Sequence, residues 1–240
     1  MAEIRPFQGI RYRVDDLSRV LAPPYDVISD AYRDELYARD PHNVVRVIFS
    51  RTGDEAGYAE AGETYRRWLA EGVLQPDPAP GLYVLEQSFA GGGRALRRFG
   101  VLARFRAEDA ARGIILPHEH TRAAAKVDRW RLLNATRANF SPIFIMFPDP
   151  TVAFAALVLG VIGHRPLAQY ADDGGVGHRL WCVQDPDLVG RFQALLASVP
   201  AYIADGHHRH ATALRRRDAA GPDGAWTLGY FTPLDAPGLV

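Results

Sequence analysis

The chain has 240 residues, of which 48% are hydrophobic, and its 28 basic residues balance its 28 acidic residues. This composition predicts a globular protein with a sizeable buried core, and the zero formal charge argues against a nucleic-acid binder. The single cysteine, Cys182, excludes an internal disulfide framework and a zinc site of CxxC type. We expect a cytoplasmic protein with no membrane partner, because the N-terminus lacks a signal-like apolar segment and the apolar run at 152–163 is too short to span a bilayer.

Hydrophobic periodicity and turn residues predict helices and strands that alternate along the chain. Ser29 is the predicted N-cap of the first helix, after the extended Pro23–Pro24 pair. Gly91–Gly93 indicate a hairpin turn rather than a phosphate loop, because no helix pattern follows them. The other predicted elements are a strand at 44–50, a helix at 54–71, two strands within 82–105, a short strand and a helix between 113 and 142, a strand at 143–147, a helix at 151–162, a strand at 178–184, a helix at 186–199, a strand at 201–205, a helix at 206–219 and a final strand after 226.

This alternation predicts an α/β (α+β) fold, a mixed sheet with covering helices. The Pro/Gly-rich stretches at 76–81 and 172–177 are candidate internal breaks, but both are short. We therefore expect residues 1–240 to form a single α/β unit.

The densest cluster of polar, titratable residues is "YIADGHHRHATAL", at 202–214. A buried-strand run ends at Asp205, Gly206 permits a tight turn, and a helix begins at once. The free amides and positive dipole end of such a helix attract anions, and His207, His208 and Arg209 add donors. Asp205 would cap the helix or hold Mg²⁺. A capped helix with solvated histidines is the alternative, and a zinc site is disfavoured because His208 and His210 lie only two residues apart.

A second cluster, "LPHEHT" at 116–121, precedes another helix. In an extended chain His118 and His120 point the same way, as metal-binding HxH pairs do, while Glu119 points to the other side. The same residues could instead surround a phosphate or supply a general base, and the third alternative is a solvated helix entry with Thr121 or His120 near the cap.

The third cluster is "APPYDVIS" at 22–29, where Tyr25 and Asp26 follow the rigid proline pair. A carboxylate held in this way suits a general base or a substrate ligand. Turn stabilisation is the commoner role of an aspartate in a loop. This motif alone does not decide between the two.

The three stretches, together with "LLNATRANFSPIF", occur in the order seen in a bacterial and archaeal family catalogued as a domain of unknown function, which the whole chain resembles. Members of that family usually carry arginine at the position of His120 and tyrosine or a similar residue at that of His210. The resemblance therefore implies that His118 and His208 matter more than these two. Family members also continue beyond the text that matches "PLDAPGLV", so the resemblance leads us to expect a C-terminally short form.

The "DGHHR" element by itself resembles the nucleotide-binding box of the ParB/sulfiredoxin-like group, which includes kinases acting on free serine. The resemblance implies that Asp205, Gly206, His207, His208 and Arg209 bind nucleotide phosphates. It transfers no carboxylate, so Asp26 and Glu119 stay competing candidates for the catalytic base. A ParB-like core would require a large insertion, since about 180 residues separate "PPYDVIS" from "DGHHR".

The sequence therefore predicts a phosphotransferase that uses ADP or ATP with Mg²⁺ and acts on a small hydroxylated metabolite such as free serine. Tyr25, His118 and Thr121 would contact the substrate or support the residues that do. One alternative is a nucleotide-binding module without turnover, and the other is a metal-dependent hydrolase using His118, His120, His207 and His208 with Glu119 as base. The sequence does not fix the oligomeric state, and a homodimer is among the options.

Overall fold

The structure is a computed structural model that describes residues 2–119 and 123–239, without the side chains of residues 123–126 and 222–223. Short 3₁₀ helices lie at Leu17–Arg19, Tyr25–Val27, Ala110–Arg112 and Pro222–Ala225. The strands are β1 (Ile4–Arg5), β2 (Ile10–Tyr12), β3 (Leu74–Pro76), β4 (Leu82–Gly91), β5 (Arg94–Arg106), β6 (Ile115–Leu116), β7 (Ile143–Phe147), β8 (Ala168–Ala171), β9 (Gly177–Val183), β10 (Ala201–Asp205) and β11 (Trp226–Pro233). The α-helices are α1 (Asp30–Arg39), α2 (Val45–Ile48), α3 (Glu55–Ala70), α4 (Ala123–Thr136), α5 (Ala153–Ile162), α6 (Pro186–Ala197) and α7 (His207–Ala220).

The chain divides into two compact units, and each is assembled from separate stretches of sequence. The first comprises Met1–Gly9, Pro78–Arg122 and Pro142–Val240, and the second comprises Ile10–Asp77 and Ala123–Ser141. The boundary between Asp77 and Pro78 falls within the 76–81 stretch, whereas 172–177 lies inside the first unit.

The first unit contains a nine-stranded mixed sheet, which confirms the predicted fold class. Its strands run in the order β6-β10-β7-β11-β5-β4-β9-β8, and β1 adds to β5. The β6–β10 and β7–β11 pairs are parallel, and the other strand pairs of the described sheet are antiparallel. The β4–β5 hairpin turns at Gly92 and Gly93, whose φ angles of 56° and 74° favour glycine. The predicted glycine hairpin is thereby confirmed.

The core of the first unit lies between the sheet and the helices α5 and α6. Phe154 and Leu157 of α5 and Phe192 and Leu196 of α6 belong to the same buried cluster as the central strands. α5 begins where both carboxylate oxygens of Asp149 accept backbone N–H groups, from Ala153 and Phe154. No helix in the described ranges combines the length and apolar character needed to cross a membrane.

The second unit packs α1 to α4 with the short β2–β3 pair. The predicted α3 face is confirmed, since Tyr58, Ala61, Tyr65 and Trp68 are all buried. Ser29 caps α1 as predicted, because its hydroxyl accepts the N–H of Tyr32.

The strand predicted at 44–50 is wrong, because residues 45–48 form the helix α2. The buried Asn43 explains the difference: its Nδ2 donates to the carbonyls of Arg19 and Leu21, and its Oδ1 accepts the N–H of Val45. This network starts a helical turn, and tertiary contacts override the strand propensity of the valine-rich run.

Candidate functional site

The predicted strand, glycine and helix at the main cluster are confirmed as β10, Gly206 and α7. The pairing of β10 with β7 shifts register between Ile203 and Asp205, as at a β-bulge, just before the turn. Gly206 has a φ of 93°, which side-chain-bearing residues rarely adopt. A Cβ there would also lie 3.0 Å from Nε of Arg209, so the turn requires glycine.

The first turn of α7 lacks the acidic residues and the side-chain cap that stabilise helix starts. Its N-cap residue is Gly206, and its first three residues are His207, His208 and Arg209. Three other helices have both a capping side chain and an acidic residue in the first turn, namely α1 (Ser29, Asp30), α3 (Asp54, Glu55) and α6 (Asp185, Asp187). In α2 and α5 the N-cap residue provides no side-chain cap and the first turn has no acidic residue, but their first turns carry no histidines. α7 thus places basic residues at the positive end of its dipole, where an anion is favoured.

Asp205 does not cap α7, contrary to one expectation from the sequence. Its Oδ2 accepts from NH2 of Arg209 at 2.6 Å, and NH1 of the same guanidinium donates to the carbonyl of Pro142 at 2.5 Å. Gly206 holds the N-cap position, so Asp205 lies one residue too early to cap the helix, and its four-residue spacing from Arg209 allows the ion pair. Arg209 is therefore held across the turn at Gly206.

His207 links the two histidine clusters within the first unit. Its Nε2 accepts the backbone N–H of His118 at 3.3 Å, and its ring meets the His118 ring edge to face, with centroids 4.5 Å apart. An accepting Nε2 places the proton of the neutral ring on Nδ1, which lies 3.7 Å from Oε2 of Glu119. Burial is the largest cause of a lowered pKa of His207, followed by the nearby His118, so the ring is neutral at pH 7.

His210 lies one turn after His207 and is 4% exposed. Burial, followed by the nearby His207, lowers its pKa to about 4, and its Nε2 has no hydrogen-bond partner among the described residues. The burial of His210 was not predicted from the sequence, although three-residue spacing on a helix already places His207 and His210 on one face. His208 is half-buried, and its carbonyl accepts the hydroxyl of Thr212.

Tyr25 and Asp26 lie in the second unit, within the 3₁₀ helix Tyr25–Val27. The guanidinium of Arg129 lies 3.6 Å from the centroid of the Tyr25 ring, and Nε of Arg129 donates to Asp128. The side chain of Asp26 is exposed. His120 and Thr121 lie outside the described residues.

The family model described as "Protein of unknown function (DUF1015)" matches residues 4–240. The chain belongs to the DUF1015 family. The resemblance noted in the sequence is thereby confirmed. No curated protein and no solved structure gives a significant match.

Within residues 2–119 and 123–239, this DUF1015 chain has no group of three or more histidine, cysteine, aspartate or glutamate side chains able to hold a metal ion. His118, Glu119 and His207 do lie together, but their contacts are a ring contact, a backbone hydrogen bond and a long His–Glu approach. The site in the first unit is therefore an uncapped helix start beside a His–Glu pair.

Proposed function

We propose that this member of the DUF1015 family is a phosphotransferase that moves a phosphoryl group from ADP or ATP to a small hydroxylated metabolite such as free serine. The observation that carries the proposal is the first turn of α7, which consists of His207, His208 and Arg209 and has no capping side chain, although α1, α3 and α6 are capped and acidic. Glycine at the N-cap in place of a capping side chain costs a helix roughly a few tenths of a kcal/mol. Such a local loss of helix stability is common at functional sites. A bound phosphate would offset it by accepting hydrogen bonds from the free N–H groups at the helix start.

The hydrogen-bond donors at the start of α7 fit a phosphate. Arg209 is held across Gly206 and retains N–H groups beyond those given to Asp205 and Pro142. The backbone amides of the first turn point the same way as the helix dipole. Phosphoryl transfer depends chiefly on positioning and on neutralising charge, and both are supplied here by fixed groups.

Glu119 is the favoured catalytic base, because it shares the first unit with the helix start and its side chain is 60% exposed, open to a substrate. Nδ1–H of the neutral His207 faces its carboxylate. In the proposed step the metabolite hydroxyl attacks the terminal phosphorus, the bond from that phosphorus to the bridging oxygen of the nucleotide breaks, and Glu119 takes the hydroxyl proton.

Mg²⁺ is the cofactor implied by this reaction, and the residues present fit it in part. Mg²⁺ usually binds one or two protein carboxylates and completes its shell with phosphate oxygens and water. Asp205 is 66% exposed and uses Oδ2 for Arg209, which leaves Oδ1 as the candidate ligand. Bound Mg²⁺ would neutralise phosphate charge. The resemblance of "DGHHR" to a nucleotide-binding box supports the same assignment.

The test is to incubate the protein with Mg²⁺, L-serine and either ADP or ATP, and to detect phosphoserine by mass spectrometry. The proposal predicts nucleotide-dependent product. Nucleotide binding without product would indicate the regulatory module instead, and neither binding nor product with a panel of hydroxylated metabolites would refute both.

Matched variants test the base. Glu119→Gln removes the proton acceptor and should lower kcat by a factor of roughly 10² to 10⁴ with KM for nucleotide little changed. Asp26→Asn in the second unit is the matched variant, because it removes the carboxylate of the competing candidate base. If Asp26→Asn abolishes kcat and Glu119→Gln does not, the assignment of Glu119 is wrong and Asp26 is the base.

A further inference from the structure

A buried carboxylate on the central sheet of the first unit holds two exposed arginines. Glu86 on β4 is fully buried, and its Oε1 accepts from Nε of Arg97 at 2.6 Å and from NH2 of Arg179 at 3.2 Å. Its Oε2 is buried and has no hydrogen-bond partner among the described residues. One negative charge thus faces two positive charges across three neighbouring strands.

The strand register places these groups on one face of the sheet. Glu86 lies opposite Phe99 on β5 and opposite Arg179 on β9, and Arg97 lies two residues from Phe99. Residues opposite one another, and residues two apart, share a face. The Arg97 guanidinium also lies 5.0 Å from the centroid of the Phe99 ring, which restrains its orientation.

Both guanidinium groups keep donors for a ligand. Arg97 uses Nε, and Arg179 uses one terminal nitrogen, while their side chains are 51% and 45% exposed. Because both bind the same carboxylate oxygen, two cations are held close together with only one anion between them. Like charges at this separation repel, and a second anion on the exposed side would relieve the repulsion.

We propose that Arg97 and Arg179 form a second anion site, which binds the oxyanion of a small phosphate or carboxylate compound. Planar guanidinium groups donate paired hydrogen bonds to such oxyanions, and the buried Glu86 orients both groups. The site is separate from the start of α7, because β7, β11 and β5 lie between β10 and β4 in the sheet. It uses none of the residues of the proposed phosphotransferase site.

The test follows the side-chain Nε–H signals of Arg97 and Arg179 by ¹H–¹⁵N NMR of the whole chain. Potassium phosphate, potassium acetate and potassium chloride are titrated at matched ionic strength. The proposal predicts saturable shifts of both signals with one shared Kd for phosphate or acetate, and none for chloride. A lower Kd for phosphate than for acetate identifies a phosphate ligand, and a lower Kd for acetate identifies a carboxylate ligand.

Variants distinguish a shared site from two separate arginines. Arg97→Gln leaves the Arg179–Glu86 pair and should abolish the saturable response of Arg179. Arg94→Gln, an exposed arginine on the same strand, should leave that response unchanged. The indole N–H of Trp181, which donates to the His164 carbonyl, reports that the fold is kept.

If Arg97→Gln loses the Trp181 signal, Arg97→Lys takes its place. Lysine keeps the positive charge but lacks the planar guanidinium group, so this variant should weaken binding roughly tenfold. An unchanged Kd at Arg179 in the variant would overturn the proposal. Shifts in the unaltered protein that follow ionic strength alone would overturn it as well.

Discussion

Acidification should destabilise the first unit through His210, which is 4% exposed and whose Nε2 has no hydrogen-bond partner among the described residues. Burial, followed by the nearby His207, lowers the pKa of His210 to about 4 from 6.5. In the unfolded chain His210 therefore binds a proton as the pH falls through 6.5, whereas in the folded chain it binds the proton only near pH 4. The stability contributed by neutral His210 is complete above pH 6.5 and is lost as the pH falls towards 4.

This difference corresponds to a loss of about 2 kcal/mol between pH 7.5 and pH 5, a range in which most carboxylates stay ionised. The measurement is urea unfolding at a series of pH values for the unaltered protein and for His210→Phe and His210→Tyr. Neither variant titrates in this range at position 210, so both should lose about 2 kcal/mol less than the unaltered protein whatever their own stability. Three parallel curves, or an NMR titration of His210 centred near pH 6.5, would refute the reasoning.

Four substitutions test packing and charge elsewhere, each by thermal unfolding. Gly206→Ala places a side chain at a φ of 93° and should cost about 1 to 2 kcal/mol. Gly100→Ala puts a Cβ 2.2 Å from the Tyr230 ring and should cost about 1 to 3 kcal/mol. Gly160→Ala inside α5 meets no atom closer than 3.8 Å and should stabilise by up to about 1 kcal/mol. Asp77→Asn should cost about 3 kcal/mol or more, because this buried carboxylate neutralises two arginines in the second unit.

Gly160→Ala is the control for Gly100→Ala, because the two changes add the same methyl group. Equal effects of the two would show that the ring of Tyr230 yields at no cost. A neutral Asp77→Asn would show that Arg11 and Arg13 do not depend on its charge. An unaffected melting temperature in Gly206→Ala would contradict the strained turn.

The sequence predicts those elements whose cause is local. Ser29 before α1, the glycine turn predicted at Gly91–Gly93 and the apolar run that ends at Asp205 all act through neighbouring residues, and all three are confirmed. β8 was not predicted, because Ala168–Ala171 is a short edge strand of low strand propensity that depends on pairing with β9. The strand prediction at 44–50 failed for the related reason that distant carbonyls fix Asn43.

In the candidate site, too, only the features that depend on neighbouring residues could be predicted from the sequence. The anion-attracting start of α7 follows from the order of residues in "DGHHR". The contact between His118 and His207 joins residues 89 positions apart, so it depends on the fold. The Asp205–Arg209 pair forms in place of the expected cap because α7 begins at His207, one residue later than predicted, which makes Gly206 the N-cap residue.

The most direct test of the central claim is a crystal structure of the protein with Mg²⁺ and ADP. We expect phosphate oxygens within hydrogen-bond distance of the first-turn amides of α7, beside Arg209, with the metal at Asp205. Phosphates found elsewhere, with the start of α7 bound only to water, would contradict it.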